Sequence, residues 1–226
     1  MKSKRITIIC GHYGSGKTTF SINYALYLRN QTSKDIYIAD LDVVNPYFRS
    51  REHFDYLKDK NIKVIGSYLP QSGADLPAVS AEVYTLFNNK NIIGIVDMGG
   101  NSAGSLSFAT FRDNVDIEET DIIFILNANR EENSTLEFAL GHFNSIETTL
   151  GLKITGIVNN THLMNDTTIE DINRGELISS ELSKEKNIPV KFTCINMDFF
   201  DNNPNIKTKY DLFIIGYDIK SATNII

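Results

Sequence analysis

The sequence predicts an α/β fold, a doubly wound and mostly parallel sheet with helices on both faces. Three observations predict it. Short β-branched runs alternate with helical patterns along the chain. Most of these runs are continuously apolar, as strands covered on both faces must be. A glycine-rich segment, Gly11-His12-Tyr13-Gly14-Ser15-Gly16-Lys17-Thr18, lies between the first run and the first helical pattern.

Taken in order, the predicted strands are 5–10, 35–39, 62–65, 92–96, 122–126, 154–158, 190–194 and 212–215. The predicted helix over 17–30 places Phe20, Tyr24, Leu26 and Leu28 near one face. Those over 132–150 and 167–186 are longer and more polar outside. Strands alternating with helices imply right-handed βαβ units. The Gly/Pro-rich stretch 66–77 reads equally as a lid or as an ordinary surface connection. The Asn-rich stretch 201–209 reads as a loop before the last strand. There is no internal repeat, low-complexity tract or linker, so residues 1–226 are expected to form a single domain.

Composition narrows the function. The net charge is −6 and the isoelectric point near 5.2, which argues against non-specific nucleic-acid binding, where basic residues must displace counterions. No apolar run approaches the ~18 residues a membrane span needs. The run 6–10 behind the basic N-terminus is too short for a signal-peptide core, so a cytoplasmic location is expected. Cys10 and Cys194 form no Cys-x-x-Cys pair, which disfavours a zinc ribbon or a disulfide framework; they read as buried, reduced thiols at strand ends.

Ligands of doubly wound sheets bind at the carboxyl ends of the strands. Polar clusters fall there at 11–18, 40–51, 97–102, 127–130 and 159–162. The first matches Gly-x-x-x-x-Gly-Lys-Ser/Thr, a phosphate-binding loop, in the required strand-to-helix context. Its glycines let backbone N–H groups approach phosphate oxygens, and the helix start adds unpaired donors and a partial positive charge. Lys17 would neutralise phosphate charge and the Thr18 hydroxyl would ligate Mg²⁺. Thr19 completes the nucleotide-binding set, Gly11 to Thr19, with Asn159 and Asn160. Asp40-Leu41-Asp42 and Asp97-Met98-Gly99-Gly100 follow apolar strands. Carboxylates at neighbouring strand tips can hold a hydrated Mg²⁺ or orient an attacking water. Gly99 and Gly100 would let the backbone approach a terminal phosphate and move upon hydrolysis, which makes them switch candidates with Asp40.

Together these motifs resemble the MinD/ParA/CobQ-like ATPases of the SIMIBI class of P-loop proteins. The resemblance runs from Arg5 to about Cys194. The stretch Asp42-Val43-Val44-Asn45-Pro46-Tyr47-Phe48-Arg49-Ser50-Arg51-Glu52 resembles a subgroup identified only as MinD-like ATP-binding proteins. The resemblance implies catalytic roles for Lys17, Asp42 and Asp97. Asp42 would activate water, Asp97 would assist Mg²⁺ through water, and two copies would close over ATP as a homodimer. One departure stands out. The class carries a signature lysine just after the first loop glycine, and here that position is His12, followed by Tyr13 where a glycine is usual. Neutral histidine does not supply lysine's constant charge. Arg49 or Arg51 would be a replacement guanidinium, or else a solvated helix arginine.

GTPases of this architecture carry Asn-Lys-x-Asp after the strand at 154–158, and its carboxylate reads guanine. Counting from Asn159 that position is His162, and from Asn160 it is Leu163; neither is a carboxylate. An Asn amide can both donate to and accept from adenine, so ATP is expected over GTP. The spacing of His12, His53, His142 and His162 matches no metal motif, and no cysteine lies between Cys10 and Cys194 to hold a cluster. The stretch 211–226 reads as a strand and a short polar end rather than a basic amphipathic membrane helix. Three functions stay open: an ATPase switching its shape for a protein partner, an ATP-dependent small-molecule phosphotransferase or ligase, and a non-hydrolysing ATP-binding module.

Overall fold

The computed structural model describes residues 4–41, 51–66, 82–100, 108 and 110–216, with the backbone alone at 51–53. Eight strands form one sheet: β1 (Ile6–Gly11), β2 (Asp35–Asp40), β3 (Ile62–Gly66), β4 (Ile92–Asp97), β5 (Thr120–Leu126), β6 (Gly156–Asn159), β7 (Val190–Asn196) and β8 (Leu212–Ile215). Their order is β3-β2-β4-β1-β5-β6-β7-β8, and every neighbouring pair is parallel. All eight predicted strands are present. β6 starts at Gly156, later than its apolar pattern suggests; just before it Thr155 already meets β5, its N donating to Ile122 O at 2.8 Å and its Oγ1 accepting from Ile122 N at 2.9 Å.

The helices whose bounds fall among the described residues are α1 (Lys17–Arg29), α2 (Arg51–Asp59), α3 (Val83–Asn88), α4 (Leu136–Leu150), α5 (Ile169–Lys186) and α6 (Met197–Asn202). The predicted helix over 132–150 begins only at Leu136. Glu131–Asn133 form a 3-10 turn instead, and the Thr135 side chain accepts from Phe138 N to cap the true start. α5 opens on a reciprocal capping box between Thr168 and Asp171, each side chain satisfying the other's backbone N–H.

The alternation along β1 explains the continuously apolar strands. Ile6, Ile8 and Cys10 belong to a core on one face, with α3, α4 and α5 side chains such as Leu86, Phe143 and Leu182. Ile9 belongs to the core on the other face, with Phe20, Ile22 and Leu28 of α1 and Leu57 of α2. Both faces are thus dry, and the carboxyl ends of the strands are where the chain presents polar groups. The cysteines divide the same way, Cys10 on the first face and Cys194 on the second, both buried and free. Burial pushes the Cys10 thiol up to about 12 and raises that of Cys194 as well, so neither forms a thiolate readily. Cys10 is one residue from the end of β1; Cys194 lies two residues inside β7. Among the described residues, no helix is long and apolar enough to cross a membrane.

Candidate functional site

The loop Gly11–Thr18 leaves β1, which lies between β4 and β5, and enters α1. Gly11, Gly14 and Gly16 all have positive φ, at 144°, 74° and 84°. A Cβ on Gly11 would strike the Ile125 carbonyl oxygen at 2.5 Å, and Gly16 is constrained as well. A side chain there would sit 2.3 Å from the Asn160 amide nitrogen, on a left-handed backbone that other residues resist. Lys17 is buried, and its Nζ donates to His12 O at 3.0 Å, so the ammonium folds back over its own loop. Thr18 and Thr19 are partly buried at the first turn of α1.

Two carboxylates flank this loop. Asp40 ends β2 and Asp97 ends β4, and the parallel register sets them directly opposite each other. Both are buried. Leu41 N donates to Asp97 O at 2.9 Å and Met98 N to Ile9 O at 3.1 Å, which fixes the strand tips around β1. The chain past β4 then crosses the phosphate loop. A Cβ on Gly100 would lie 2.6 Å from Tyr13 N and 2.7 Å from Lys17 Nζ, so only a bare backbone fits against this part of the loop. Gly99 beside it is buried. The candidates Asp42 and Arg49 lie outside the described residues. Arg51 is the first residue of α2, and its side chain is likewise outside them.

The tip of β6 separates the two asparagines. Asn159 points inward: its Oδ1 accepts from Thr161 Oγ1 at 2.7 Å and from Thr161 N at 3.2 Å, and its Nδ2 donates to Ile172 O at 3.3 Å. Its amide serves the packing of α5 on β6. Asn160 instead reaches the loop, its Nδ2 donating to Ser15 O at 2.7 Å. Beside it opens a cleft lined among others by Thr19, Asn160, His162, Met164, Asn196 and Phe199. Its described lining holds no carboxylate.

A further group surrounds the loop that sequence spacing did not show. His12 Nε2 lies 3.1 Å from Glu132 Oε1, and its ring meets the His142 ring edge-on with centroids 5.3 Å apart. Residues 12, 132 and 142 come from the loop, the turn after β5 and α4, so only the fold brings them together. In the same turn, Arg130 Nε donates to Gly14 O at 3.0 Å.

Burial first, and the neighbouring His12 second, push the His142 pKa down from 6.5 to about 4. The folded state therefore binds fewer protons here than the unfolded chain. The associated stability is complete above pH 6.5 and is lost as pH falls from there toward 4. Between pH 7 and 5 the wild-type protein is expected to lose about 1 kcal/mol more than His142→Phe, a figure reduced for the ring's partial solvent contact. Urea unfolding of both proteins at the two pH values checks this; parallel losses would show that His142 carries no proton linkage.

No protein-family model matches the sequence, and no curated protein matches it. Solved structures do match. Cell division protein FtsY from Thermotoga maritima superimposes with a TM-score of 0.58 at 20% identity, over 86% of this chain and 62% of that one. Chloroplast FtsY from Physcomitrella patens gives 0.57 at 16%, over 85% and 59%. The signal recognition particle 54 kDa protein from Aeropyrum pernix K1, solved in complex with GDP, gives 0.56 at 17%, over 85% and 41%. The chain thus spans roughly two fifths to three fifths of the length of these proteins. The parallel sheet with its phosphate loop is the α/β P-loop NTPase fold, of the kind seen in FtsY and the 54 kDa protein.

Proposed function

We propose that this protein is a Mg²⁺-dependent ATP-binding protein that hydrolyses ATP slowly and changes shape with its nucleotide state to signal to a partner. The observation that carries this reading is the seat of Gly100 on Tyr13 and Lys17. The segment after β4 rests where phosphate oxygens must be accommodated, so filling the loop obliges that segment to rearrange.

The residues divide the work. The backbone N–H groups of 11–18 hold phosphate oxygens, and the Lys17 ammonium neutralises their charge. The Thr18 hydroxyl and the Asp97 carboxylate would hold Mg²⁺, which would supply charge withdrawal when bound. An ion held this way would be completed by phosphate oxygens and water. Asp42 orients the attacking water. Two copies closing over the nucleotide form the homodimer that this reading favours.

The choice of ATP rests on the cleft beside Asn160. Guanine selection needs a carboxylate facing two N–H donors, and the described lining offers His162 and Met164 instead. GTP is the competitor to test, since the 54 kDa protein from Aeropyrum pernix K1 was solved with GDP. Calorimetric titration with Mg-ATP and Mg-GTP is expected to give at least ~10-fold tighter binding of ATP, as each 1.4 kcal/mol of lost base contact is tenfold. Equal affinities would refute the choice of base. Phosphate release without any added metabolite checks the switch; unaltered ATP after long incubation with Mg²⁺ would make the protein a binding module.

A further inference from the structure

Resting on that functional reading, we propose that Arg130 is the cation, supplied by the same molecule, that contacts the terminal phosphate of the bound nucleoside triphosphate. A loop in this fold faces several negative phosphate oxygens, and Lys17 is a single charge. A second fixed cation near the terminal phosphate stabilises the charge that develops as the phosphoryl group leaves. The second loop position does not supply it. His12 is held by Glu132 at 3.1 Å and packed edge-on against His142, so its ring is turned into the β5–α4 side of the fold.

The same turn delivers Arg130 to the loop. Its backbone N donates to Asn127 O at 3.0 Å, which folds the chain back at the end of β5. Its side chain then lies on Gly14: a Cβ there would sit 3.0 Å from Cζ, Nε and Nη2 of the guanidinium. Nε is spent on the Gly14 carbonyl at 3.0 Å, which anchors the group by one edge. Nη1 and Nη2 have no partner among the described residues, and the side chain is exposed. An arginine pinned by Nε with its planar fork open matches the geometry of a phosphate oxygen pair. Gly14 adjoins Tyr13, where Gly100 and the Lys17 ammonium converge, so the fork stands at the terminal-phosphate end of the loop. The turn thus does two things at once: Glu132 withdraws His12 and Arg130 takes up the charge.

The test compares wild type, Arg130→Ala and Arg130→Lys for binding of Mg-ATP and Mg-ADP, single-turnover hydrolysis and melting temperature. Arg130→Ala is expected to bind ATP about 10-fold more weakly with ADP affinity unchanged, and to hydrolyse about 10²–10³-fold more slowly. Arg130→Lys recovers part of the ATP affinity and little of the rate, because an ammonium lacks the fork. Equal losses for ATP and ADP with a lowered melting temperature would make Arg130 a brace for Gly14 and overturn the proposal, as would unchanged ATP binding and turnover. Absence of ATP binding by the wild-type protein overturns the functional reading beneath it, which separates the two failures.

Discussion

Lys17→Ala is expected to abolish the nucleotide response of this protein. Lys17 is 6% exposed, and its ammonium reaches His12 O across the loop and lies 2.7 Å from where a Gly100 side chain would begin. It is therefore a charge shared by the loop and the start of the segment that follows β4. A cation in so enclosed a position acts on phosphate through few intervening waters, and losing such a group costs about 10²–10³ in turnover. Binding is read most simply from heat. At Mg-ATP about 100 times its Kd, linkage adds about 2.7 kcal/mol to the wild-type protein, roughly 5–10 °C for a chain of this size. Lys17→Ala should melt at the same temperature with and without Mg-ATP. A shift matching wild type would show that the loop does not hold the phosphates.

The second large effect is on stability. Gly175 lies inside α5, where replacing glycine by alanine ordinarily gains about 1 kcal/mol. Here the sign reverses. A Cβ at Gly175 would meet Thr161 Oγ1 at 2.1 Å and Asn159 Oδ1 at 2.3 Å. Neither atom can swing aside. Thr161 Oγ1 donates to Asn159 Oδ1 and accepts from Ala128 N at 3.0 Å, and the Asn159 amide holds Ile172 O. The helix must lift off the β6 tip or these buried bonds must break, so Gly175→Ala is expected to cost about 3 kcal/mol by overpacking. Urea denaturation measures it. A gain in stability instead would mean that α5 slides without resistance. Because Asn160 follows in the same segment and donates to Ser15 O, the variant should also loosen the loop.

What the sequence disclosed depended on whether a feature was local. The eight strands were legible because burial on both faces leaves continuous apolar runs, and the phosphate loop because its residues are contiguous. The three shorter helices were not. α2 buries Leu57 and partly Tyr56 in a mainly charged stretch, Arg51-Glu52-His53-Phe54-Asp55-Tyr56-Leu57-Lys58-Asp59, so its apolar period is too sparse to read. α3, Val83-Tyr84-Thr85-Leu86-Phe87-Asn88, is short and rich in residues that favour strands. α6 starts from the Asn196 side chain accepting Asp198 N, and only its last two residues fall in the Asn-rich stretch 201–209 read as loop. Nothing in the spacing of residues 12, 130, 132 and 142 joins them either. They meet because β5 is the neighbour of β1, and strand order is a property of the whole chain. Asn159 and Asn160 look alike in sequence, and only the pleat of β6, sending one inward and the next toward the loop, tells them apart.

That strand order also governs how the molecule is made. β5, β6, β7 and β8 are neighbours in the order of their synthesis, so each can pair as soon as it emerges. β1 is made before β2, β3 and β4 and has no partner among these strands until β4 and β5 follow, because β2 pairs with β3 and β4 instead. Contacts between residues far apart in sequence form late. The most conspicuous motif in this chain therefore begins as unpaired peptide. A loop seated between β4 and β5 is complete only when those strands have joined β1, so any ligand it holds can stabilise only a chain whose first five strands are already paired.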